Sequence, residues 1–143
     1  MISLAQFAKN ITESVVECHP RLEVGLSKVG GLAQSLAAEY IGHEMPGWPP
    51  LKQSTIEDKE RRGFDVPAPL LRTGKMRDSI HFEVEPFALE LTLGSTSPIA
   101  HYQEMGTEHI QARPFLMAGV SNSMPYAADV FAKIAVSLLT GKK

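Results

Sequence analysis

Hydrophobic residues recur at helical spacing near the start of the chain. Those between Leu4 and Cys18 fall at steps of three and four, which predicts a helix whose single apolar stripe faces a core. Ser3 and Gln6 have the spacing of a capping box and place its first turn. Pro20 predicts the end of this helix, because the residue before a proline is disfavoured in helical geometry.

A second helical pattern follows over residues 22–40. Gly42 is suited to the left-handed conformation that stops a helix. Gly30 and Gly31 lie inside the pattern, where each costs about 1 kcal/mol relative to Ala. They predict either a bend or break in the helix or the close packing of another backbone.

Residues 80–85 and 89–93 alternate between apolar and polar side chains, which predicts a β-hairpin with Pro86 near its turn. The aliphatic side chains then share a buried face and the glutamates share a solvated, acidic face.

The remaining patterns are shorter. Residues 98–105 predict a helical turn, and residues 112–117 an extended segment whose Pro114 suits a sheet edge. Apolar positions over 127–138 predict a C-terminal helix with Pro125 near its start.

Prolines interrupt regular structure over residues 43–79, where only Thr55–Arg62 has the pattern of a short helix. Long irregular loops in small domains are commonly binding elements. Trp48 and Leu51 are the apolar anchors of this loop. Trp48 caps the core of its own domain in one interpretation and contacts a partner in the other.

The length of 143 residues and the 43% apolar content suit one packed core. We therefore predict a single domain over residues 1–143. Its fold class is α+β, with a small antiparallel sheet packed against N- and C-terminal helices and a long proline-rich loop. No run of apolar residues approaches a membrane span, and the first residues lack an export signal, so we expect an intracellular protein without a membrane partner.

Charge is unevenly distributed although the net charge is only −2. Residues 51–77 carry seven basic and four acidic side chains, whereas residues 78–108 carry six acids and no Lys or Arg. These blocks are either two solvated faces or complementary surfaces that join copies of the chain. The lone Cys18 excludes an internal disulfide and metal sites built on cysteine pairs.

The sequence has neither a complete phosphate-binding loop nor the G-x-S-x-G motif of serine hydrolases. Arg72–Lys75 resembles part of a phosphate-binding loop, but the required earlier glycine is Pro69. His101, Glu104 and His109 are close enough in sequence to suggest a small metal-dependent hydrolase, which we keep as the alternative function. The basic block lacks interleaved aromatic residues, which disfavours sequence-specific nucleic-acid binding.

Two glycine-containing turns are predicted to fix nearby side chains. Gly74 and Gly106 permit conformations that other residues resist, and Thr107 can bond to neighbouring backbone groups. Beyond the second turn, Arg113 offers a planar fork suited to a carboxylate. Its candidate partners, in the same chain or the next, are Glu104 and Glu108.

Several motifs occur in a fixed order along the chain. A Trp-Pro-Pro-Leu loop at 48–51 is followed by Leu-Leu-Arg-Thr-Gly-Lys-Met-Arg-Asp-Ser-Ile at 70–80 and by the hairpin ending in Gly-Ser. His-Tyr-Gln-Glu-Met-Gly-Thr lies at 101–107, and Ala-Arg-Pro-Phe-Leu at 112–116. In this order and spacing, the chain resembles the virion morphogenesis and tail-completion (neck, head–tail joining) proteins of long-tailed bacteriophages over about residues 22–120.

The resemblance implies a structural virion protein without catalytic activity, cofactor or metal. It implies a homo-oligomeric ring, expected to be a hexamer, at the head-proximal end of a phage tail, acting in tail completion, as a tail terminator or in head–tail joining. Its expected partners are the tail tube, sheath and head-connector proteins, with non-specific contact to passing DNA. Assembly would take place in the cytoplasm of the host bacterium.

A ring requires one surface of a subunit to meet a different surface of the next. We expect the basic loop to contact the acidic hairpin of a neighbour and the acidic sheet face to line the channel. The predicted subunit-interface residues are Trp48, Leu51, Lys59, Arg61, Arg62, Arg72, Arg77, Glu104, Glu108, Arg113 and Phe115, and the predicted channel-lining residues are Glu83, Glu85 and Glu90.

Overall fold

The structure, a computed structural model, describes residues 3–141. These residues form an α+β fold with a two-stranded antiparallel sheet, which confirms the predicted fold class. The elements in chain order are α1 (Leu4–Tyr40), α2 (Gln53–Arg61), α3 (Lys75–Asp78), β1 (Ile80–Glu85), β2 (Glu90–Ser95), α4 (Pro98–Met105) and α5 (Leu116–Thr140).

Helix α1 begins where the capping box predicts, with the Ser3 side chain accepting the Gln6 N–H at 3.1 Å. It then runs without interruption through Pro20, so the predicted end at this residue and the division into two helices are wrong. A proline removes one backbone hydrogen bond from a helix. Here α5 packs along α1, and tertiary contacts of this kind hold a helix together across such a defect.

The two adjacent glycines of α1 do not break the helix either. A Cβ on Gly30 would lie 2.4 Å from the Phe82 ring, whereas one on Gly31 would meet nothing within 4 Å. Gly30 therefore lets the hairpin approach the helix closely, and the close neighbours are side chains rather than the predicted backbone.

Helices α1 and α5 pack against each other along most of α5 and run in opposite directions. Near the C-terminal end of α1, a Cβ on Gly119 would lie 2.8 Å from the carbonyl oxygen of Ala33 and 2.9 Å from the Cβ of Ala37. The two backbones are thus as close as small residues allow. At the far end, Gly141 contacts Asn10.

The apolar stripe predicted to face a core at the start of α1 lies instead in solvent. Leu4 is 84% exposed and Val15 73% exposed. Helix α5 packs against a polar row of α1, where Ser14 donates to the Leu138 carbonyl and Arg21 to Ser137. Helical periodicity identified the apolar face of α1 correctly, but the neighbouring, polar face of α1 makes the contacts with α5.

Strands β1 and β2 form the predicted hairpin, in a register that pairs Phe82 with Leu93 and Glu85 with Glu90. Phe82 and Leu93 lie on the partly buried face, and α1 packs against both strands. Glu83 lies on the opposite, exposed face. The predicted separation into an apolar and an acidic face is confirmed.

The core lies where the end of α1, the start of β1, α4 and the start of α5 meet. Its buried members are Ala37, Tyr40, Ile41, Ile80, Ala100 and Phe115.

The C-terminal helix begins at Leu116, nine residues before the predicted Pro125. The extended segment predicted for residues 112–117 is therefore wrong from Leu116 onward, and Pro114 does not lie at a sheet edge. Within residues 3–141, no helix combines the length and apolarity needed to cross a bilayer.

Candidate functional site

A cleft of about 560 Å³ lies between the proline-rich loop and the segment joining α4 to α5. One wall comes from residues 51–59, the base from residues 68–77, and the opposite wall from residues 97–113. The turns predicted at Gly74 and Gly106 are present, with φ of +80° and +77°, and both belong to these segments.

The lining of the cleft is cationic. No Asp or Glu is among the described residues that line it. Its base and walls also carry apolar side chains, including Leu51, Leu70, Leu71, Met76 and Ile110. The cleft thus combines an apolar surface with an excess of positive charge from Lys52, Lys59, Arg72, Lys75, Arg77 and Arg113.

Arg113 is 9% exposed and connects the segment between α4 and α5 to the proline-rich loop. Its Nη2 donates to the carbonyl oxygens of Pro49 at 2.9 Å and Pro50 at 3.3 Å. Its Nε is buried without a hydrogen-bond partner in the described chain, and burial lowers the pKa of the guanidinium. The predicted ion pair with Glu104 or Glu108 of the same chain is wrong, because Nη2 of Arg113 bonds backbone carbonyls and Glu104 bonds the start of α5.

Glu104 binds the start of α5 instead of pairing with Arg113 as predicted. Its carboxylate accepts the backbone N–H groups of Phe115, Leu116 and Met117 at 2.8–2.9 Å. These are among the N–H groups that a helix leaves unpaired at its start, and a negative charge is stabilised there. Glu104 therefore caps α5, and its capping role explains the early start of that helix.

Turn geometry in the segment between Glu104 and Arg113 is fixed by backbone contacts. The Thr107 hydroxyl accepts the N–H groups of His109 and Ile110, as predicted. A Cβ on Gly106 would lie 2.9 Å from the Ala112 nitrogen, so a larger residue does not fit. The Arg113 N–H then donates to the Gln103 carbonyl at 2.7 Å.

Lys59 is only 3% exposed, which sequence reasoning did not anticipate. Its Nζ donates to the Ala68 carbonyl at 2.6 Å. Burial lowers the pKa of Lys59, and the nearby positive charge of Arg72 lowers it further. Lys59 thus holds α2 against the returning loop and is an internal residue rather than a surface contact.

Asp58 forms ion pairs with three of the predicted interface arginines. Its carboxylate pairs with Arg61 at 2.6 Å, Arg62 at 3.0 Å and Arg72 at 2.9 Å. The hydrogen bond from Arg61, followed by the one from Arg62, holds the pKa of Asp58 below its ordinary value. One carboxylate faces three guanidinium groups, so this cluster retains positive charge, and Arg72 also stacks 5.7 Å from the centre of the Phe64 ring.

Of the three apolar residues predicted at the interface, one lines the cleft and two pack in or against the core. Leu51 lines the cleft and is half-buried. Trp48 packs against the core of its own chain, in agreement with the first of its two interpretations. Phe115 is 0% exposed, so its predicted interface role is wrong, since a fully buried side chain has no surface for a neighbour. Its predicted role as a core anchor is confirmed.

The acidic hairpin lies outside the cleft lining. Glu83, Glu85 and Glu90 are all exposed. The most exposed aromatic side chain at this end is Phe87, in the turn, with 92% of its surface accessible. Sequence reasoning missed it; an aromatic residue directly after the turn proline, outside the alternating pattern, was the available signal.

His101, Glu104 and His109 do not form a metal site. Among residues 3–141, no group of three or more His, Cys, Asp or Glu side chains is arranged to hold an ion. Both Glu104 oxygens are already bonded to α5, and His101 is exposed with its ring edge-on to Tyr102. The residues proposed for the alternative hydrolase are thus not brought together.

Comparisons with protein-family models, with curated proteins and with solved structures give no match to this chain.

Proposed function

We propose that this chain is a structural protein of a phage virion that assembles as a closed ring at the head-proximal end of the tail. By the sequence resemblance the ring is a hexamer that lets DNA pass and that contacts the tail tube or sheath and the head connector. In this proposal the protein acts in tail completion or head–tail joining and is assembled in the bacterial cytoplasm.

The observation that carries the proposal is the presence of two different surfaces of opposite charge on one subunit. Lys52, Arg72, Lys75 and Arg77 are exposed cations of the cleft, its described lining has no carboxylate, and the exposed hairpin face is acidic. Contacts between two different surfaces of identical subunits generate rings when the rotation closes. Complementary charge also speeds and orients such association.

The exposed acidic face also suits a DNA channel. Glu83 lies in the middle of β1 on that face, and its side chain is 79% exposed. Like charge repels the DNA backbone, so a wall carrying Glu83 would let phosphates pass without binding. We assign Glu83 to the channel wall; Glu85 and Glu90, at the turn end of the strands, are considered separately below.

The oligomeric state tests the proposal directly. We expect light scattering after size-exclusion chromatography to give a mass several times 15.6 kDa, and negative-stain images to show rings with a central hole. Assembly should weaken as salt rises, because screening shortens the reach of exposed charges. A monomer at every salt and protein concentration would refute the ring.

The virion location needs a second experiment. Antibody labelling of intact phage particles should place the protein at the head–tail junction, and particles made without it should leave filled heads and tails unjoined. Rings that label elsewhere, or particles that join normally without the protein, would refute the neck assignment.

A further inference from the structure

We propose that the hairpin tip of one subunit, centred on Phe87, docks in the basic cleft of the next subunit. The hairpin tip is residues 85–90, and the basic cleft is the site described above. This inference rests on the proposed ring and names the contact that would close it.

The hairpin tip has features that its own chain compensates only in part, since Glu85 Oε1 accepts the Phe87 N–H at 3.2 Å. Phe87 is 92% exposed, so its apolar ring stays in contact with water and contributes no hydrophobic stabilisation to its own subunit. Glu85 and Glu90 are register partners, so two like charges lie directly opposite each other, which destabilises a hairpin. Leu89 has a φ of +51°, in the left-handed region that a leucine rarely adopts.

The basic cleft offers the complementary groups. Lys52 and Lys75 are exposed cations in its lining, suited to the two carboxylates of the tip. Arg77 is exposed as well and pairs with Asp78 of its own chain at 3.4 Å. The apolar side chains of the cleft, Leu51 and Met76 among them, can cover an aromatic ring.

Arg113 adds an independent indication of a carboxylate ligand. Arg113 belongs to the cleft lining and is more than nine-tenths buried, and its buried Nε has no acceptor in the described chain. Guanidinium groups bond carboxylates more strongly than neutral acceptors. A glutamate brought in by a neighbour would supply the missing acceptor.

The contact must join two subunits rather than fold back within one. None of residues 85–90 is in the lining of the cleft of the same chain. A DNA backbone fits the cleft less well, because phosphates gain nothing from the apolar side chains and because no Phe, Tyr or Trp is among the described residues that line it. The proposed contact leaves Glu83 for the channel wall.

Single-surface variants test the docking. Phe87→Ser removes the apolar part of the tip, and the pair Lys52→Glu and Lys75→Glu reverses the charge of the cleft. Each should weaken ring assembly about 30-fold or more, the size expected for a central interface residue. All three positions are exposed, and circular dichroism and thermal unfolding should confirm that the variants fold normally.

Mixing the two variants gives the sharpest readout. The Phe87→Ser subunit keeps a working cleft, and the Lys52→Glu, Lys75→Glu subunit keeps a working tip. A mixture can therefore form one contact and stop, because different surfaces meet at each interface. We expect one-to-one dimers by light scattering, whereas each variant alone stays monomeric.

Matched controls are available in both regions. Ala88→Ser changes an exposed residue of the same turn, and Lys28→Glu reverses a charge on α1 outside the cleft. Both should assemble as the unmodified chain does. A photoreactive benzoylphenylalanine at position 87 should crosslink to cleft residues of a second subunit.

The outcomes separate this inference from the proposed function. Rings of normal stability with Phe87→Ser, or crosslinks outside the cleft, would overturn the docking and leave the ring intact. A monomeric unmodified protein would refute the ring itself. If the cleft variant assembles normally but loses affinity for a labelled DNA oligonucleotide in fluorescence anisotropy, the cleft binds phosphate and the docking is refuted.

Discussion

Glu104 and Leu116, twelve residues apart, are joined by a 2.9 Å hydrogen bond from the Leu116 N–H to Oε2 of the carboxylate. The same carboxylate binds the N–H groups on either side of Leu116. An anion at a helix start satisfies unpaired donors and interacts favourably with the helix dipole. One side chain of α4 thus determines where α5 begins.

Replacing Glu104 should destabilise the fold. Glu104→Gln keeps one oxygen but removes the charge and one acceptor, so we expect a loss of about 1–2 kcal/mol, as for other helix-cap deletions. Urea unfolding followed by circular dichroism measures the change. Glu108→Gln, at an exposed position nearby, is the control and should be neutral. Equal stability of the two variants would contradict the capping role.

The glycine at the crossing of α1 and α5 should not tolerate a methyl group. Gly119→Ala would place its Cβ 2.8 Å from the Ala33 carbonyl, and overpacking of this kind costs about 1–3 kcal/mol. Thermal unfolding should show a lower midpoint.

Gly31→Ala is the matched control within α1. Its Cβ would meet nothing within 4 Å, and Ala favours a helix over Gly by about 1 kcal/mol, so this variant should be more stable than the parent chain. If both substitutions shift stability in the same direction, the close crossing at Gly119 is not the cause.

The Asp58 cluster predicts a pH dependence. Hydrogen bonds from Arg61 and Arg62 hold the pKa of Asp58 below its ordinary value of 3.8. A carboxyl with a lowered folded-state pKa stabilises the fold above its unfolded-state pKa, and this contribution is lost as the pH falls through the folded-state pKa.

Asp58→Asn should therefore be less stable than the parent chain at neutral pH, and the difference should shrink below pH of about 3.8. Urea unfolding at a series of pH values measures this. Glu60→Gln, an exposed change in the same helix, should show no such convergence. A difference that is constant with pH would rule out the charge of Asp58 as its source.

Arg113 should hold the proline-rich loop against the body. Arg113→Lys keeps the charge but loses the guanidinium Nη2 that bonds the Pro49 and Pro50 carbonyls, so the loop should loosen. Trp48 is the only tryptophan and lies next to these prolines, half-buried against the core. We expect its fluorescence emission to shift to the red and proteolysis within the loop to quicken.

The control for this experiment is Arg61→Lys, which changes an exposed arginine of α2 in the same conservative way. It should leave the emission of Trp48 unchanged. An unshifted emission in Arg113→Lys would show that other contacts hold the loop.

The sequence correctly predicted those helices and strands that are marked by a pattern of neighbouring residues. Alternation located both strands, and the capping box at Ser3 placed the first turn of α1. Long-range contacts account for the errors. Pro20 ends no helix because α5 supports α1 there, and α5 starts early because its cap comes from Glu104.

The candidate site was predicted only in part, for the same reason. The cleft is built from three segments far apart in sequence, so no local pattern reports it. Leu51, Arg72, Arg77 and Arg113 were among the expected interface residues and do line it. The pairing of Arg113 was missed because a side chain that bonds a carbonyl 64 residues away leaves no trace in spacing.

The packing of α1 against α5 has a consequence for biosynthesis. A ribosome makes α1 first among the described elements and α5 last. The face of α1 that packs against α5 is therefore unshielded while residues 41–115 are added. Contacts between distant parts of a chain also slow folding, because the loop between them must close first. The native packing of α1 should therefore form only after α5 has been synthesised. Chaperones can bind the exposed face of α1 between the synthesis of the two helices.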